Sequence, residues 1–227
     1  MTEGNENIWS EYSRIYRKVL PQLSFFRELQ AKVIGLCQPY KKILDAGCGP
    51  GLYFEKLFEQ GKDVYGIDLN AGMIESLKKG LGSRIPLEAI ESKVIVGDIK
   101  HLPYKDNFFD AAINVNVLYN VPDPLNALKE LHRAIRPGGA LIIAGPVPKN
   151  AEGERILTKK ILEEAGELTQ EFTYVLKINK EILEKHFVNE ISLEKITDMI
   201  IEAGFSRITY TDSTLYLRQV WLLKAEK

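Results

Sequence analysis

Ile43-Leu44-Asp45-Ala46-Gly47-Cys48-Gly49-Pro50-Gly51 runs from a short apolar strand straight into a glycine-rich turn. Phe54, Leu57 and Phe58 then repeat at helical spacing, and Gly61 is a plausible helix stop. A strand, a glycine turn and a helix N-terminus together suit an anionic or nucleotide-like ligand, because free N–H groups face it and no Cβ blocks its approach. The same pattern also describes a tight turn with no ligand. Leu52 stands where a dinucleotide fingerprint needs its third glycine, and no Gly-Lys-Ser/Thr ending is present. Instead an acid, Asp45, precedes Gly47 by two residues.

Outward from this turn the chain alternates. Strands are predicted over 63–69, 93–97, 109–115 and 140–144, with helices over 71–79 and 124–135 between them. That rhythm predicts an α/β fold with a parallel sheet covered on both faces. Upstream, two amphipathic helices are expected, one carrying Ile8, Trp9, Tyr12, Ile15, Tyr16, Val19 and Leu20, the other Phe25 to Cys37. After Pro148 the rhythm breaks into a charged, mostly helical stretch, in which Phe172, Tyr174, Leu176 and Ile178 alternate like a short strand. It returns with Ser192 as a helix cap and Gly204 as a stop. Two strands, 207–211 and 215–223, then form an antiparallel hairpin, since their three-residue link is too short for a parallel crossover. The expected organisation is an N-terminal helical lid (1–38), a core (39–148), a cap insertion (149–190) and a helix plus hairpin that complete the core (191–227).

Thirty Lys+Arg against 31 Asp+Glu leave a net charge of −1. That balance argues against a protein whose main task is gripping nucleic acid, so no nucleic-acid partner is expected. Cys37 and Cys48 are too few for a disulfide framework and lack metal-ligand spacing, so no metal is expected. No apolar run approaches the ~20 residues of a membrane span. The polar first ten residues carry no signal core, and the expected location is cytoplasmic.

Two further acids end strands at the same predicted edge. Asp68 lies 21 residues beyond Gly47, near the ~20 expected of an acid that accepts from both ribose hydroxyls; a solvated loop aspartate is the plainer reading. Asp98, in Gly97-Asp98-Ile99, could accept from an adenine amino group with Ile99 against the ring, or simply cap a turn.

Taken in order, the 43–51 stretch, Val64-Tyr65-Gly66-Ile67-Asp68, Val96-Gly97-Asp98, and Phe109-Asp110 ahead of Arg136-Pro137-Gly138-Gly139 resemble the successive motifs of class I S-adenosyl-L-methionine (SAM)-dependent methyltransferases. The similarity spans roughly residues 40 to 145, and its nearest flavour is the small-molecule branch with the ubiquinone and menaquinone biosynthesis enzymes. The resemblance implies a Rossmann-like seven-stranded, mostly parallel sheet with an antiparallel last strand. It implies SAM as cofactor, S-adenosyl-L-homocysteine as product, and methyl transfer to a small-molecule acceptor by in-line displacement. It implies that Asp45, Gly47 and Gly49 line the methionine part, Asp68 the ribose, Leu69 and Met73 the adenine side, and Asp98 and Ile99 the adenine edge. Asn114 would sit near the methionyl amine and the methyl.

The segment after strand four, Asn114-Val115-Asn116-Val117, departs from the Asn/Asp-Pro-Pro-aromatic motif of enzymes that methylate planar nitrogens. Tyr119-Asn120 stands where many relatives carry His-His. No convincing base is named, and Tyr12, Tyr16, Asn116 and His186 are the groups to test. His101 is read as surface, and His132 as part of a solvated helix face. The aromatics of the first helix either pack on the core or close the cleft as a lid. With the insertion they are expected to form a cap lined by residues such as Tyr12, Tyr16, Phe172 and Tyr174. The insertion could equally be a solvated arm or an oligomer contact, in a monomer or a homodimer. The alternative function is a SAM-binding regulatory or scaffold protein without turnover.

Overall fold

The computed structural model describes residues 12–13, 15–166, 169–185 and 188–227. Seven strands form one sheet: β1 (Lys42–Ala46), β2 (Asp63–Asp68), β3 (Val94–Val96), β4 (Phe109–Val115), β5 (Ile135–Pro146), β6 (Arg207–Asp212) and β7 (Val220–Glu226), in the order β3-β2-β1-β4-β5-β7-β6. Neighbours from β3 through β5 pair in parallel, and β7 runs antiparallel to both β5 and β6. This is the Rossmann-like α/β sheet that the sequence implies, its last strand antiparallel.

Strand burial explains why the central run reads as almost unbroken apolar sequence: a parallel sheet covered on both faces has no solvent side. Ile43, Ile113 and Ile142 pack with α2 (Ser24–Leu36), α3 (Leu52–Glu59) and α4 (Ala71–Leu81) on one face. Leu44, Ala112, Leu141 and Trp221 pack with α6 (Pro124–Ala134) and α9 (Leu193–Glu202) on the other. The helices start where the sequence provides caps. Asn70, Asp123 and Ser192 each accept a hydrogen bond from a backbone N–H in the first turn of the helix that follows.

Several local expectations need correction. Residues 172–178 form no strand; they lie inside α8 (Thr169–Lys185), which follows α7 (Ala151–Ala165). Phe172, Val175 and Ile178 are the buried residues, three apart, so the helical period wins over the alternation. The last strand begins at Val220, because Leu215–Arg218 is a turn with Tyr216, Leu217 and Arg218 all left-handed (φ 48°, 57° and 68°). The hairpin itself stands. A short helix, α5 (Leu87–Glu91), was not anticipated. Strand β5 starts at Ile135 and absorbs the Arg136–Gly139 turn, with a register shift against β4. Helix α1 is described at residues 12–13 and 15–19, so Ile8 and Trp9 lie outside the described residues, as does His186.

Asp110 and Arg136 have a structural explanation. One Asp110 oxygen accepts from the backbone N–H groups of Lys41 (3.0 Å) and Lys42 (2.8 Å), and the other from Arg136 Nε at 2.8 Å. They clasp the starts of β1, β4 and β5 together, at the sheet end opposite the glycine turn. These donors hold the Asp110 carboxyl below its usual range despite partial burial. His132 is also more than a solvated side chain. Its ring meets Phe205 edge-on at 5.0 Å, and burial lowers its basicity.

Candidate functional site

Strand order reverses at β1, which lies between β2 and β4. A crevice opens outside the carboxyl ends of strands at such a switch point. The glycine turn, Asp68, Asp98 and Asn114 all lie at or just beyond those ends.

The turn is held tightly. The N–H groups of Gly47 and Cys48 both donate to the Ile67 carbonyl, at 2.7 and 3.0 Å. Gly47 has φ +81°, and a Cβ there would lie 2.3 Å from a methyl of Val117, just after β4. Only glycine satisfies both constraints. Gly51, also left-handed, caps α3. Cys48 is buried, with its sulfur in the space left by Gly66, which fits its reading as a small residue between glycines.

Asp68 joins this turn to β2. One oxygen accepts from the Gly49 N–H at 2.8 Å and the other from the Asn70 N–H at 2.9 Å. Burial raises its pKa, and these two bonds oppose the rise. Each oxygen keeps a lone pair free for a further donor, as ribose recognition requires. Asp68 therefore carries a loop-bracing role that sequence reasoning missed. We expect Asp68→Ala to weaken SAM binding by about 1.5–3 kcal/mol, the range for hydrogen bonds to a charged group, and to lower stability by about 1 kcal/mol. Titration calorimetry and urea unfolding on the same preparation would check both. Unchanged SAM affinity in a folded variant would remove Asp68 from the cofactor site.

Around Asp68 the other adenine-side residues divide. Met73 is buried and packs toward the glycine turn, with its sulfur 3.9 Å from where a Gly49 Cβ would stand, whereas Leu69 is 47% exposed. Ile99 is buried. Asp98 Oδ1 accepts from the Lys100 N–H at 2.9 Å, so part of its role is the turn cap anticipated as the plainer reading.

Asp45 and Asn114 are the buried polar pair of the site, 3% and 0% exposed. Alternation along paired strands sends them to opposite faces of the sheet edge. Asn114 Nδ2 donates to the Ala46 carbonyl at 2.8 Å. Asn114 Oδ1 and Asp45 Oδ2 are buried with no hydrogen-bond partner in the protein. Burial, and then the charge of Asp68, push the Asp45 pKa up to about 8, against a hydrogen bond from the backbone of Phe54 in the first turn of α3. Buried acceptors without donors are costly. A ligand that brings donors and positive charge relieves both, and the ammonium and sulfonium of SAM fit that demand.

Above the edge, a third apolar cluster joins α1 (Tyr12, Val19), α7 (Ile161, Ala165) and α8 (Phe172, Val175, Ile178) to Leu52 and Met73. Leu52, the residue that excludes a dinucleotide fingerprint, thus lies beneath the N-terminal helix and the insertion. Arg17 fastens α1 to the glycine turn: it donates to the Pro50 carbonyl at 2.6 Å and to buried Glu55 on α3 at 2.7 Å. The end of the insertion is anchored too, since the Val188 and Asn189 N–H groups donate to the Tyr119 carbonyl. Tyr16 packs on this cluster, its ring 4.7 Å from that of Tyr12. Burial and Tyr119 raise its pKa, which makes it a proton donor rather than a base near neutrality. Asn116 is left-handed (φ 57°), and its N–H donates to the Ala144 carbonyl at 2.8 Å. Tyr53 and Tyr216 join this region without having been singled out in the sequence, because no motif marks them; Asn120 was noted there only as half of Tyr119-Asn120.

Comparison with known proteins gives the class first. Residues 44–143 match the family model described as a methyltransferase domain. Among particular relatives, it is 35% identical over 119 residues to demethylmenaquinone methyltransferase of Renibacterium salmoninarum, covering 52% of this chain and 46% of the relative. It is 33% identical over 141 residues to the Staphylococcus aureus enzyme of the same name, covering 60% and 56%. The chain thus spans about half the length of these curated relatives. The structure of a SAM-dependent methyltransferase from Thermotoga maritima superposes with a TM-score of 0.64, at 21% identity, over 97% of this chain and 99% of that one. That likeness concerns the fold. Among the described residues, no helix is long and apolar enough to cross a membrane.

Proposed function

We propose that the protein is an enzyme that moves the SAM methyl group to a small-molecule acceptor, in the cytoplasm. The observation that carries this is the orphaned pair, Asp45 Oδ2 and Asn114 Oδ1, flanking the edge beside a turn that only glycine can form. When bound, SAM supplies an electrophilic methyl whose bonding electrons leave with sulfur. The chain's own work is then to hold, orient and keep dry. Asp45, Gly47, Gly49 and Asn114 would hold the methionine part, Asp68 the ribose, and Leu69, Met73, Asp98 and Ile99 the adenine. The two buried free thiols, Cys37 and Cys48, support a reducing compartment.

In this reading residues 1–38 and 149–190 act as a cap over the methyl group. The apolar cluster that α1, α7 and α8 share with Leu52 and Met73 supports it. Adding S-adenosyl-L-homocysteine with an acceptor is expected to slow amide exchange in residues 15–20 and in part of 149–190. Protection confined to the glycine turn, Asp68 and Asp98 would make the cap an appendage or a dimer contact. The activity is tested by incubating the protein with methyl-labelled SAM and a metabolite extract. Label in a small molecule supports the enzyme. Tight SAM binding with no label transferred to any fraction would leave the regulatory or scaffold reading.

A further inference from the structure

Building on that reading, we infer that the acceptor carries a hydrogen-bond-donating group, an amine or a hydroxyl, recognised by Tyr53 and Asn120, and that it is not methylated on a carboxylate. Tyr53 lies in the first turn of α3, one residue after Leu52, and packs against both the sheet core and the cap cluster. Its hydroxyl is buried without a hydrogen-bond partner, and so is Asn120 Oδ1, in the turn after β4. An unpaired buried hydroxyl or amide oxygen is destabilising, so a fold that keeps both near its candidate site has a use for them. Asn120 Oδ1 can only accept, which fixes the ligand atom opposite it as a donor.

The two groups are connected. Tyr53 lies within electrostatic reach of Asp45 and Tyr16, Tyr16 of Tyr119, and Tyr119 is hydrogen-bonded to Asn120. Tyr216 completes the group: it packs on the same apolar cluster as Tyr53 and Tyr16, and its ring meets Phe25 edge-on at 4.6 Å. It is delivered there by the left-handed run Tyr216-Leu217-Arg218, a conformation that residues with a Cβ adopt only at a cost. Such strain persists where placement matters.

Among the described residues, several cations of α1, α7 and α8 are already paired with acids, which disfavours a carboxylate acceptor. Arg17 is engaged with Glu55 and the Pro50 carbonyl, Lys18 with Glu171, Arg155 with Glu152, Lys159 with Glu163 and Lys160 with Glu164. Lys177 and Lys180 are exposed on α8. Among the described residues, the buried partnerless oxygens at this edge are the Tyr53 hydroxyl, the Asn114 and Asn120 amide oxygens and one Asp45 carboxyl oxygen. Burial keeps Tyr53 and Tyr216 protonated, so neither supplies a base. An amine lone pair can attack the methyl directly and shed its proton afterwards. A hydroxyl would yield its proton to solvent.

The test uses the full-length protein and the labelled product captured from metabolite extract. Mild alkali releases labelled methanol from methyl esters and leaves N-methyl and methyl ether products intact. The expected result is alkali-stable label. Tyr53→Phe, which removes only the hydroxyl, should raise the acceptor KM about tenfold while leaving SAM affinity unchanged. Alkali-labile label would overturn the inference while the methyltransferase reading stood, and so would an unchanged KM in Tyr53→Phe. Absence of any labelled product would remove both.

Discussion

Gly47→Val is expected to cost roughly 3 kcal/mol of folding stability and to abolish measurable SAM binding. Two independent penalties combine. The left-handed φ of +81° disfavours any Cβ by about 1–2 kcal/mol, and more for a branched one. The new side chain also meets Val117 Cγ2 and Cγ1, at 2.3 and 2.8 Å from the Cβ position, so the β1 turn and the segment after β4 must separate. Overpacking of this kind costs about 1–3 kcal/mol. Binding suffers because the same displacement moves the N–H groups that donate to Ile67 and, through Gly49, to Asp68. Urea unfolding measures the first effect and calorimetry the second. Adding Val117→Ala to the variant should recover the overpacking part and leave the backbone part. A variant as stable as the parent that still binds SAM would reduce the loop to an ordinary turn.

The second large effect is a pH dependence centred on Asp45. Its carboxyl has an ordinary pKa of 3.8 and is raised to about 8 in the folded protein, first by burial and then by the charge of Asp68. Folding therefore takes up a proton between those values. A raised acid is the reverse of the usual carboxylate case: its contribution is most favourable below about pH 4, falls as pH rises from about 4 to 8, and is flat above 8. At about 1.4 kcal/mol per pH unit the loss across that window is on the order of a few kcal/mol. Asp45→Asn keeps an acceptor for the Phe54 N–H and removes the titration. It should be more stable than the parent at pH 8 and lose the slope contributed by this group. Urea unfolding at pH 5, 6.5 and 8 reads this directly. The ligand connection follows from the same group. A cationic ligand favours the carboxylate, so SAM binding at pH 7 should release close to one proton, seen as a binding enthalpy that varies with the buffer's ionisation enthalpy. Asp45→Asn should bind SAM more weakly and release none. Equal heats in phosphate and Tris for the parent would show that Asp45 does not change its protonation when SAM binds.

Much of the sheet is legible in the chain because its determinants are local. Apolar runs at β1, β4 and β5, Asn70, Asp123 and Ser192 as caps, and glycines at 47 and 51 specify strand, helix and turn without knowledge of neighbours. The acids that end β1, β2 and β3 could be picked out because strand ends of a parallel sheet share one edge. The failures were those of competing periods. Phe172 to Ile178 satisfies both alternation and helical spacing, and only the burial of Val175 decides between them. Tyr216 was placed in a strand because nothing local announces three consecutive left-handed residues.

By itself, then, the sequence determined the α/β order, the glycine turn and the three strand-end acids, since each depends on neighbours within a few residues. Tertiary structure decided the rest. It showed that Asp68 braces the turn it was expected only to face, and that Asp110 and Arg136 clasp the far end of the sheet. It showed that Asp45 and Asn114 are left with unpaired oxygens, and that Tyr53, Tyr119 and Tyr216 gather from three distant segments against the apolar cluster of α1, α7 and α8. Those properties depend on which groups exclude water from one another. That is set by packing between residues as far apart in sequence as Phe25 and Tyr216, which no local pattern records.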